Sequence, residues 1–290
     1  MITYDCLFVD LDGVVYRGPR PVPHAVESLN LYPARKLYVT NNASRTPETV
    51  ADQLAGLGLR VGPEDVVTSA QAAAAYLASL VPVGSYVLVT GGDGLVQAVR
   101  QHGLRVTTKA DEAQAVVQGY SPKLGWADLA EASYALARGI PWVASNTDMS
   151  VPTARGIAPG NGTFVAAVAS ATGRTPEVTG KPHRPIMELA KQRSGAQRPL
   201  VIGDRLDTDI ASAHTAGFDS LMVLTGVNTW QDLLEWPIDQ LPTIVASDLR
   251  VLNGYRDAAT ADLEALLAGL RAGDDVSAVV ARLHQATQAQ

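Results

Sequence analysis

Two groups of aspartates in this sequence each follow a short apolar run. In the first group, Asp10 and Asp12 come after Leu7–Val9 and are followed at once by Gly13. Two carboxylates this close repel each other unless a cation or a shared proton offsets their charge. With a phosphate substrate, the cation that suits such oxygen ligands is Mg²⁺. A lone Asp-x-Asp is also common as a solvated turn at a strand end, so this group alone leaves both interpretations open.

The second group follows the apolar run Leu200–Gly203. Asp204, Asp207 and Asp209 fall within six residues, a density that suggests a cation site. Asp207 has an alternative interpretation as a helix N-cap, and Asp209 as a first-turn carboxylate that the helix dipole favours. Asp204 stands at the end of the predicted strand and is therefore the better candidate ligand.

Uncharged hydrogen-bond donors and one lysine complete the candidate chemistry. Thr40, Asn41 and Asn42 follow another apolar run, and their side chains and backbone N–H groups can donate to phosphoryl oxygens. Lys181, within a Gly-Lys-Pro sequence, places an ammonium group before a predicted helix, but without the glycine spacing of a P-loop. Because asparagines favour turns and a lone lysine is usually a solvated surface residue, neither signal is specific by itself.

The elements that must position these residues alternate between apolar runs and helical periodicity. The predicted strands are Leu7–Asp10, Lys36–Thr40 and Pro199–Gly203, and the predicted helices are Pro47–Leu59 and Pro185–Ser194. This alternation indicates an α/β fold with a parallel sheet. Because ligands of such sheets bind beyond the carboxyl ends of the strands, we expect Asp10, Thr40 and Asp204 to converge there.

The middle of the chain carries strand and helix patterns of its own. The strands are Tyr86–Thr90, Ala115–Gln118 and Trp142–Ser145, and the helices are Gly94–Gly103 and Trp126–Ala137. We therefore predict a Rossmann-like parallel-sheet core domain, residues 1–82 and 180–256, with a large α/β domain, residues 83–179, inserted into it. Residues 257–290 form a helical extension. The sequence leaves open whether it packs on the core or on a second subunit in a homodimer.

The four chemical elements follow one another as the motifs of a known superfamily do. They are Asp10-Leu11-Asp12-Gly13, Val39-Thr40-Asn41-Asn42, Gly180-Lys181-Pro182 and Gly203–Asp209. Their order and spacing resemble the haloacid-dehalogenase-like phosphatases, in the branch of NagD-like and 4-nitrophenyl phosphatases, over most of the chain. That branch carries a large α/β cap domain between the second and third motifs, which is where the inserted domain is predicted.

Carried over residue by residue, the resemblance implies roles for the matching positions. Asp10 is the implied nucleophile and Asp12 the implied general acid and base. Thr40 and Lys181 are the implied phosphoryl-binding side chains. The implied reaction is the hydrolysis of a phosphate monoester through an aspartyl phosphate.

The resemblance also implies a cofactor and further substrate contacts. Mg²⁺ is the implied cofactor, bound by Asp10, the main-chain carbonyl of Asp12 and Asp204, with Asp209 farther from the ion. Asn41 and Asn42 are the expected substrate-binding residues beside Thr40.

Substrate choice is expected to come from the cap, because the core grips only the phosphoryl group that every monoester shares. In the related phosphatases a cap loop contacts the leaving group, and the segment 145–156 corresponds to it here. This segment offers Asn146, Asp148 and Arg155 as polar substrate-binding candidates and Val151 as an apolar one. A well-formed surface turn is the alternative interpretation.

Three further stretches, Ala115–Gly119, Gly125–Ala132 and Leu221–Asn228, resemble bacterial glycerol-3-phosphate phosphatases of this branch. The resemblance implies a small phosphorylated metabolite as the partner, with glycerol 3-phosphate hydrolysed to glycerol and phosphate. Phosphoglycolate, pyridoxal phosphate or a nucleotide monophosphate also fit the motifs. Two other classes are a non-catalytic phosphometabolite sensor and a carbon–halogen hydrolase. Asp12 argues against both, because neither sensing nor halide departure needs an acid and base.

The composition excludes several classes of partner. The 23 Lys and Arg residues are scattered among 29 Asp and Glu residues, which argues against nucleic acid. No stretch approaches the roughly 20 apolar residues of a membrane span, and the first residues lack an export-signal pattern, so we expect a cytoplasmic protein. Cys6, the single cysteine, excludes an internal disulfide and is expected to be a buried hydrophobe. The five histidines show no zinc-ligand spacing.

Overall fold

The computed structural model describes residues 4–153 and 155–288, along which strands and helices alternate. The strands are β1 Cys6–Val9, β2 Tyr16–Arg17, β3 Arg20–Pro21, β4 Arg35–Thr40, β5 Val66–Thr68, β6 Tyr86–Thr90, β7 Arg105–Thr107, β8 Ala115–Gln118, β9 Trp142–Ala144, β10 Ser150–Thr153, β11 Gly156–Pro159, β12 Glu177–Val178, β13 Pro199–Gly203, β14 Asp219–Val223 and β15 Ile244–Ala246. The helices are α1 Ala25–Leu31, α2 Pro47–Gly56, α3 Ser69–Ala78, α4 Asp93–Gln101, α5 Trp126–Leu136, α6 Asn161–Thr172, α7 Arg184–Ser194, α8 Ala211–Ala216, α9 Asp232–Glu235, α10 Ala258–Ala272 and α11 Ser277–Gln288. A π-helix, Leu206–Ile210, precedes α8, and short 3₁₀ segments lie at Pro63–Asp65, Ile238–Gln240 and Leu249–Asn253. The predicted α/β fold is confirmed.

The chain divides into two compact units. The first comprises Met1–Val39, Gln53–Val61 and Ala190–Gln290, and the second comprises Thr40–Asp52 and Gly62–Leu189. The domain limits expected from the sequence, 1–82 with 180–256 around 83–179, stay a prediction.

In the first unit, five strands run in the order β15-β14-β13-β1-β4, and each neighbouring pair is parallel. Every residue of β1 and of β13 is buried. Such continuous apolar runs are typical of parallel strands that are covered on both faces. The apolar runs recognised in the sequence therefore correspond to central strands of this sheet.

The second unit contains a parallel sheet of its own, in the order β12-β9-β8-β6-β7. Side chains of α3 and α4, such as Leu77 and Leu95, form one buried cluster with Val117 of β8. Side chains of α5 and α6, such as Leu136, form another cluster with Val116. Because neighbouring residues of a strand point to opposite faces, helices cover this sheet on both sides.

The hairpin formed by β10 and β11 was not predicted. β10 pairs with β11 in antiparallel fashion, with Val151 opposite Ala158 and Pro152 opposite Ile157. The sequence indicated a turn there, because prolines and glycines are typical turn residues and Pro is tolerated only on strands with a free edge.

The C-terminal extension packs on the first unit. Leu263, Leu266 and Leu267 of α10 and Leu283 of α11 lie in one buried cluster with Trp230 and other residues of that unit. Of the two arrangements that the sequence left open, packing on the core is therefore the one observed within this chain. In the part of the chain described, no helix has both the length and the apolar character needed to cross a membrane.

Candidate active site

Asp10 and Asp204 each follow the last residue of a strand, and the two strands are neighbours. β1 and β13 pair in parallel with Val9 opposite Ile202. The N–H of Asp10 extends this ladder by donating to the carbonyl of Ile202 at 2.9 Å. Both aspartates therefore emerge at the carboxyl end of the sheet, where ligands of α/β sheets bind.

Three carboxylates form one group at this edge. One oxygen from each of Asp10, Asp204 and Asp209 lies within 4.8 Å of the other two. Asp204 is 0% exposed and Asp209 is 1% exposed. Ionised carboxylates buried next to one another are strongly destabilising without a counter-charge. Three oxygen donors of this kind fit a hard divalent cation such as Mg²⁺.

The loop that follows β14 holds Asp204 in place. The N–H of Val227 donates to Asp204 Oδ2 at 2.7 Å, and the N–H of Asn228 donates to the Asp204 carbonyl at 3.2 Å. Gly226 makes this approach possible, because a Cβ at that position would lie 1.8 Å from Asp204 Oδ2. Gly13 has a φ of +84°, and a Cβ there would lie 2.4 Å from the same oxygen.

The contribution of this loop was not predicted. The stretch that contains Gly226 and Val227 indicates only a resemblance to related phosphatases and predicts no contact with Asp204. A glycine shortly after an apolar strand is the signal that could have identified it, because glycine permits close backbone approach.

Asp209 is positioned by the π-helix. The N–H of Arg205 donates to Asp209 Oδ2 at 3.2 Å, and a Cβ on Gly203 would lie 2.1 Å from the Cβ of Asp209. The N-cap interpretation of Asp207 is wrong: Arg205 occupies the N-cap, and its guanidinium donates to both Asp207 oxygens, at 2.9 and 2.7 Å. Asp207 therefore takes part in an exposed local ion pair instead of a cap.

Asp12 lies outside the carboxylate group formed by the described residues. Its side chain is exposed, and its main chain forms an isolated bridge with Tyr16. The metal ligand predicted at this position is the main-chain carbonyl and not the carboxylate. Both roles of Asp12 stay predictions.

In the second unit, Thr40 and Lys181 are both buried, at 8% and 4% exposure. Thr40 Oγ1 accepts a hydrogen bond from the N–H of Asn42 at 3.1 Å. Asn41 Oδ1 accepts from the N–H of Lys181 at 2.8 Å. Lysine is rarely this buried unless its ammonium group is paired. The alternative of a solvated surface lysine is therefore wrong.

The structure brings two of the cap candidates to Asn41. Asn146 Nδ2 donates to the Asn41 carbonyl at 2.8 Å, and Asn41 Nδ2 donates to Asp148 Oδ2 at 3.2 Å. Val151 and Arg155 lie instead on the β10–β11 hairpin and at its tip, where Arg155 is exposed. The substrate-binding role of all these residues stays a prediction.

The side chain of Asn42 makes hydrogen bonds within the turn that it begins. Asn42 Oδ1 accepts from the N–H of Ser44 at 2.9 Å and from its hydroxyl at 2.8 Å, which shapes the turn after β4.

Burial raises the pKa of the Cys6 thiol to about 11. The thiol is therefore neutral near pH 7, in agreement with the predicted packing role.

Known proteins resemble this chain over most of its length. The family model "Haloacid dehalogenase-like hydrolase" matches residues 7–105, and a HAD-hydrolase-like model matches residues 178–252. The D-glycerol 3-phosphate phosphatase of Mycobacterium tuberculosis is 49% identical over 252 residues, which are 86% of this chain and 71% of that protein.

Solved structures are similar as well, and two of them are phosphatases. The glycerol phosphate phosphatase of Mycobacterium tuberculosis in complex with magnesium superposes with a TM-score of 0.88 and 42% identity, over 92% of this chain and 90% of that one. The p-nitrophenyl phosphatase of Archaeoglobus fulgidus has a TM-score of 0.79 and 30% identity, over 87% of this chain and 99% of that one.

The chain belongs to the haloacid dehalogenase-like hydrolase family. The relatives described above are phosphatases, and the chain is a phosphoric monoester hydrolase of their branch. The predicted family and the predicted enzyme class are confirmed.

Proposed function

We propose that this chain hydrolyses glycerol 3-phosphate to glycerol and phosphate with Mg²⁺ as its cofactor. The observation that carries the proposal is the group of three carboxylates from Asp10, Asp204 and Asp209 at the end of adjacent strands. The similarity to a D-glycerol 3-phosphate phosphatase, at 49% identity, supports the choice of substrate. The similarity to a glycerol phosphate phosphatase in complex with magnesium supports the choice of cofactor. Mg²⁺ bound here would supply positive charge that offsets the negative charge of the carboxylates and of the phosphoryl oxygens.

In the first step, a carboxylate oxygen of Asp10 forms a bond to phosphorus while the bond from phosphorus to the glycerol oxygen breaks. Asp12 donates its proton to that oxygen, so that glycerol leaves as a neutral alcohol. Thr40 and Lys181 hold the phosphoryl oxygens, as their motif positions imply. The ammonium group of Lys181 offsets charge on the transferring group.

In the second step, Asp12, now a carboxylate, accepts a proton from water. The water oxygen bonds to phosphorus, and the bond from phosphorus to Asp10 breaks. Phosphate leaves, and both aspartates return to their starting protonation states. The exposed side chain of Asp12 supports this role, because it can exchange protons with solvent between turnovers.

We further propose that residues 83–179 form the cap and select the leaving group through Asn146, Asp148, Val151 and Arg155. A parallel sheet whose strands all fall between Tyr86 and Val178 supports this division. The main chain of the turn at Asn41 and Asn42 is proposed to contact the phosphoryl group.

The test is phosphate release from a panel of monoesters by the purified chain. The panel contains glycerol 3-phosphate, phosphoglycolate, pyridoxal phosphate and nucleotide monophosphates. We expect the highest kcat/KM for glycerol 3-phosphate, loss of activity with a chelator, and recovery with Mg²⁺. A higher kcat/KM for another monoester would overturn the substrate assignment. Binding of monoesters without any phosphate release would instead favour the sensor, and halide release from a haloacid would favour the carbon–halogen hydrolase.

We also propose a cytoplasmic location. The single free cysteine, Cys6, is buried, and a protein without disulfides suits a reducing compartment. Cell fractionation tests this location, and recovery outside the cytoplasm would contradict it. A homodimer stays a prediction that sedimentation of the purified chain would check.

A further inference from the structure

The side chain of Asn41 uses both of its donor hydrogens within the protein. Its Nδ2 donates to the carbonyl of Lys181 at 3.0 Å and to Asp148 Oδ2 at 3.2 Å, while its Oδ1 accepts from the N–H of Lys181 at 2.8 Å. A side-chain amide has two N–H donors and one carbonyl acceptor. Because the N–H of Lys181 can only donate, the orientation of the amide is determined. No donor of this side chain is left for a phosphoryl oxygen.

These contacts fix the main chain of Lys181. One side chain pairs with both its N–H and its carbonyl. The preceding residue must be small, because a Cβ on Gly180 would lie 2.4 Å from the Ser145 carbonyl and 2.7 Å from Asn41 Oδ1. The position of Lys181 is thereby set relative to Asn41, and through the chain relative to Thr40.

The same asparagine is tied to the segment 146–148 at two points. Asp148 accepts one of its side-chain hydrogens, and Asn146 Nδ2 donates to its main-chain carbonyl at 2.8 Å. The segment is closed on itself, because the N–H of Asp148 donates to Asn146 Oδ1 at 3.1 Å. A shift of Asp148 would therefore be transmitted to the amide that holds Lys181.

We propose that Asn41 is a positioning residue, which holds Lys181 where its ammonium group meets the phosphoryl group, and that Asp148 keeps the amide of Asn41 oriented. The proposal rests on the proposed function, in which Lys181 binds the transferring phosphoryl group. Displacement of a catalytic group by about 1 Å can reduce turnover about 10²-fold. The loss should appear mainly in kcat, because the charge that Lys181 offsets is greatest in the transition state.

The principal variant is Asn41→Ala, and its matched control is Ser69→Ala. Ser69 Oγ donates to the main-chain carbonyl of Asn41 at 2.6 Å, so its removal deletes a partly buried hydrogen bond to the same residue and leaves the side-chain contacts of Asn41 intact. We expect Asn41→Ala to lower kcat about 10- to 100-fold and to weaken the binding of inorganic phosphate. Ser69→Ala should lower Tm about as much as Asn41→Ala does, while its kcat stays close to that of the unmodified chain.

A second pair tests the role of Asp148 without altering Asn41. Asp148→Ala removes the acceptor, whereas Asp148→Asn keeps an amide oxygen that can still accept from Asn41 Nδ2. We expect Asp148→Ala to lower kcat and Asp148→Asn to recover most of that loss. This pair decides the question if Asn41→Ala does not fold.

Three results would overturn the positioning role. They are an unchanged kcat and phosphate affinity in Asn41→Ala, an equal loss of kcat in Ser69→Ala, and no recovery in Asp148→Asn relative to Asp148→Ala. Failure of the proposed function has a different signature, since the unmodified chain would then release no phosphate from any monoester. In that case, calorimetric titration of each variant with inorganic phosphate still measures the effect of Asn41 on Lys181.

Discussion

The two units each contain a parallel sheet, and the ends of β1 and β13 in the first sheet differ in chemistry from the ends of β6 and β8 in the second. In the first unit, β1 and β13 are followed by Asp10 and Asp204. In the second unit, β6 and β8 end at the uncharged Thr90 and Gln118, which are 1% and 0% exposed. Within the described residues, neither Thr90 Oγ1 nor the amide of Gln118 has a hydrogen-bond partner.

The surroundings of the strand ends differ as well. The backbone N–H of Val227 donates to the carboxylate of Asp204 in the first unit. In the second unit, a Cβ on Gly119, directly after β8, would lie 2.9 Å from Ser145 Oγ and 3.2 Å from the Cβ of Ala43. The rule that ligands bind beyond the carboxyl ends of parallel strands therefore needs a second condition. The strand ends must carry charged groups that the surrounding loops can hold, as Val227 holds Asp204, rather than closely packed small residues.

The largest effect expected from this comparison is that of Asp10→Asn. The substitution keeps the shape of the side chain but removes the nucleophile, so kcat should fall by at least about 10⁴-fold. Folding should be preserved, because one of three mutually repelling carboxylates becomes neutral. Phosphate release and thermal unfolding measure the two outcomes. Activity near that of the unmodified chain would remove Asp10 from the mechanism.

The second largest effect should follow Lys181→Met, which keeps much of the buried volume and deletes the charge. We expect kcat to fall about 10²- to 10³-fold, the range seen when one group that stabilises transition-state charge is lost. Lys123 is exposed and provides the matched control, since Lys123→Met should leave kcat unchanged. Equal activities of the two variants would contradict the phosphoryl-binding role of Lys181.

A smaller effect is expected for Gly226→Ala, which tests the close packing around Asp204. Its Cβ would lie 1.8 Å from Asp204 Oδ2, so the loop or the carboxylate must move. We expect a loss of about 1–3 kcal/mol in the free energy of unfolding and weaker Mg²⁺ binding by calorimetry. Gly56→Ala is the control, because a Cβ there meets no atom within 4 Å, and helical Ala should stabilise by about 0.5–1 kcal/mol. Equal stability changes in both variants would contradict the packing argument.

The sequence predicted the elements where local pattern is sufficient. β6 and β8 have the predicted bounds, because buried parallel strands appear as uninterrupted apolar runs. The carboxylate group could be predicted because Asp10 and Asp204 each mark a strand end. The β10–β11 hairpin could not, because its Pro and Gly residues have the composition of a turn.

The contacts that orient the site were beyond local pattern. Asn41 and Lys181 are 140 residues apart, and Val227 lies 23 residues from the Asp204 carboxylate that it contacts. An asparagine that follows a strand gives the same local sequence pattern whether it binds substrate or holds another residue. Only the tertiary arrangement shows which hydrogen-bond partners are within reach.

The smallest effect should be a gain in stability at the uncharged strand ends. A buried amide without a partner is destabilising by about 1–3 kcal/mol relative to an apolar group of similar size. Gln118→Leu should therefore raise the free energy of unfolding by about 1 kcal/mol, and Thr90→Val should act in the same direction because it removes an unpaired hydroxyl. Both variants should keep the kcat of the unmodified chain, as measured by phosphate release beside denaturant unfolding. A loss of kcat at either position would show that the ends of β6 and β8 also take part in the chemistry, and their contrast with the ends of β1 and β13 would then fail.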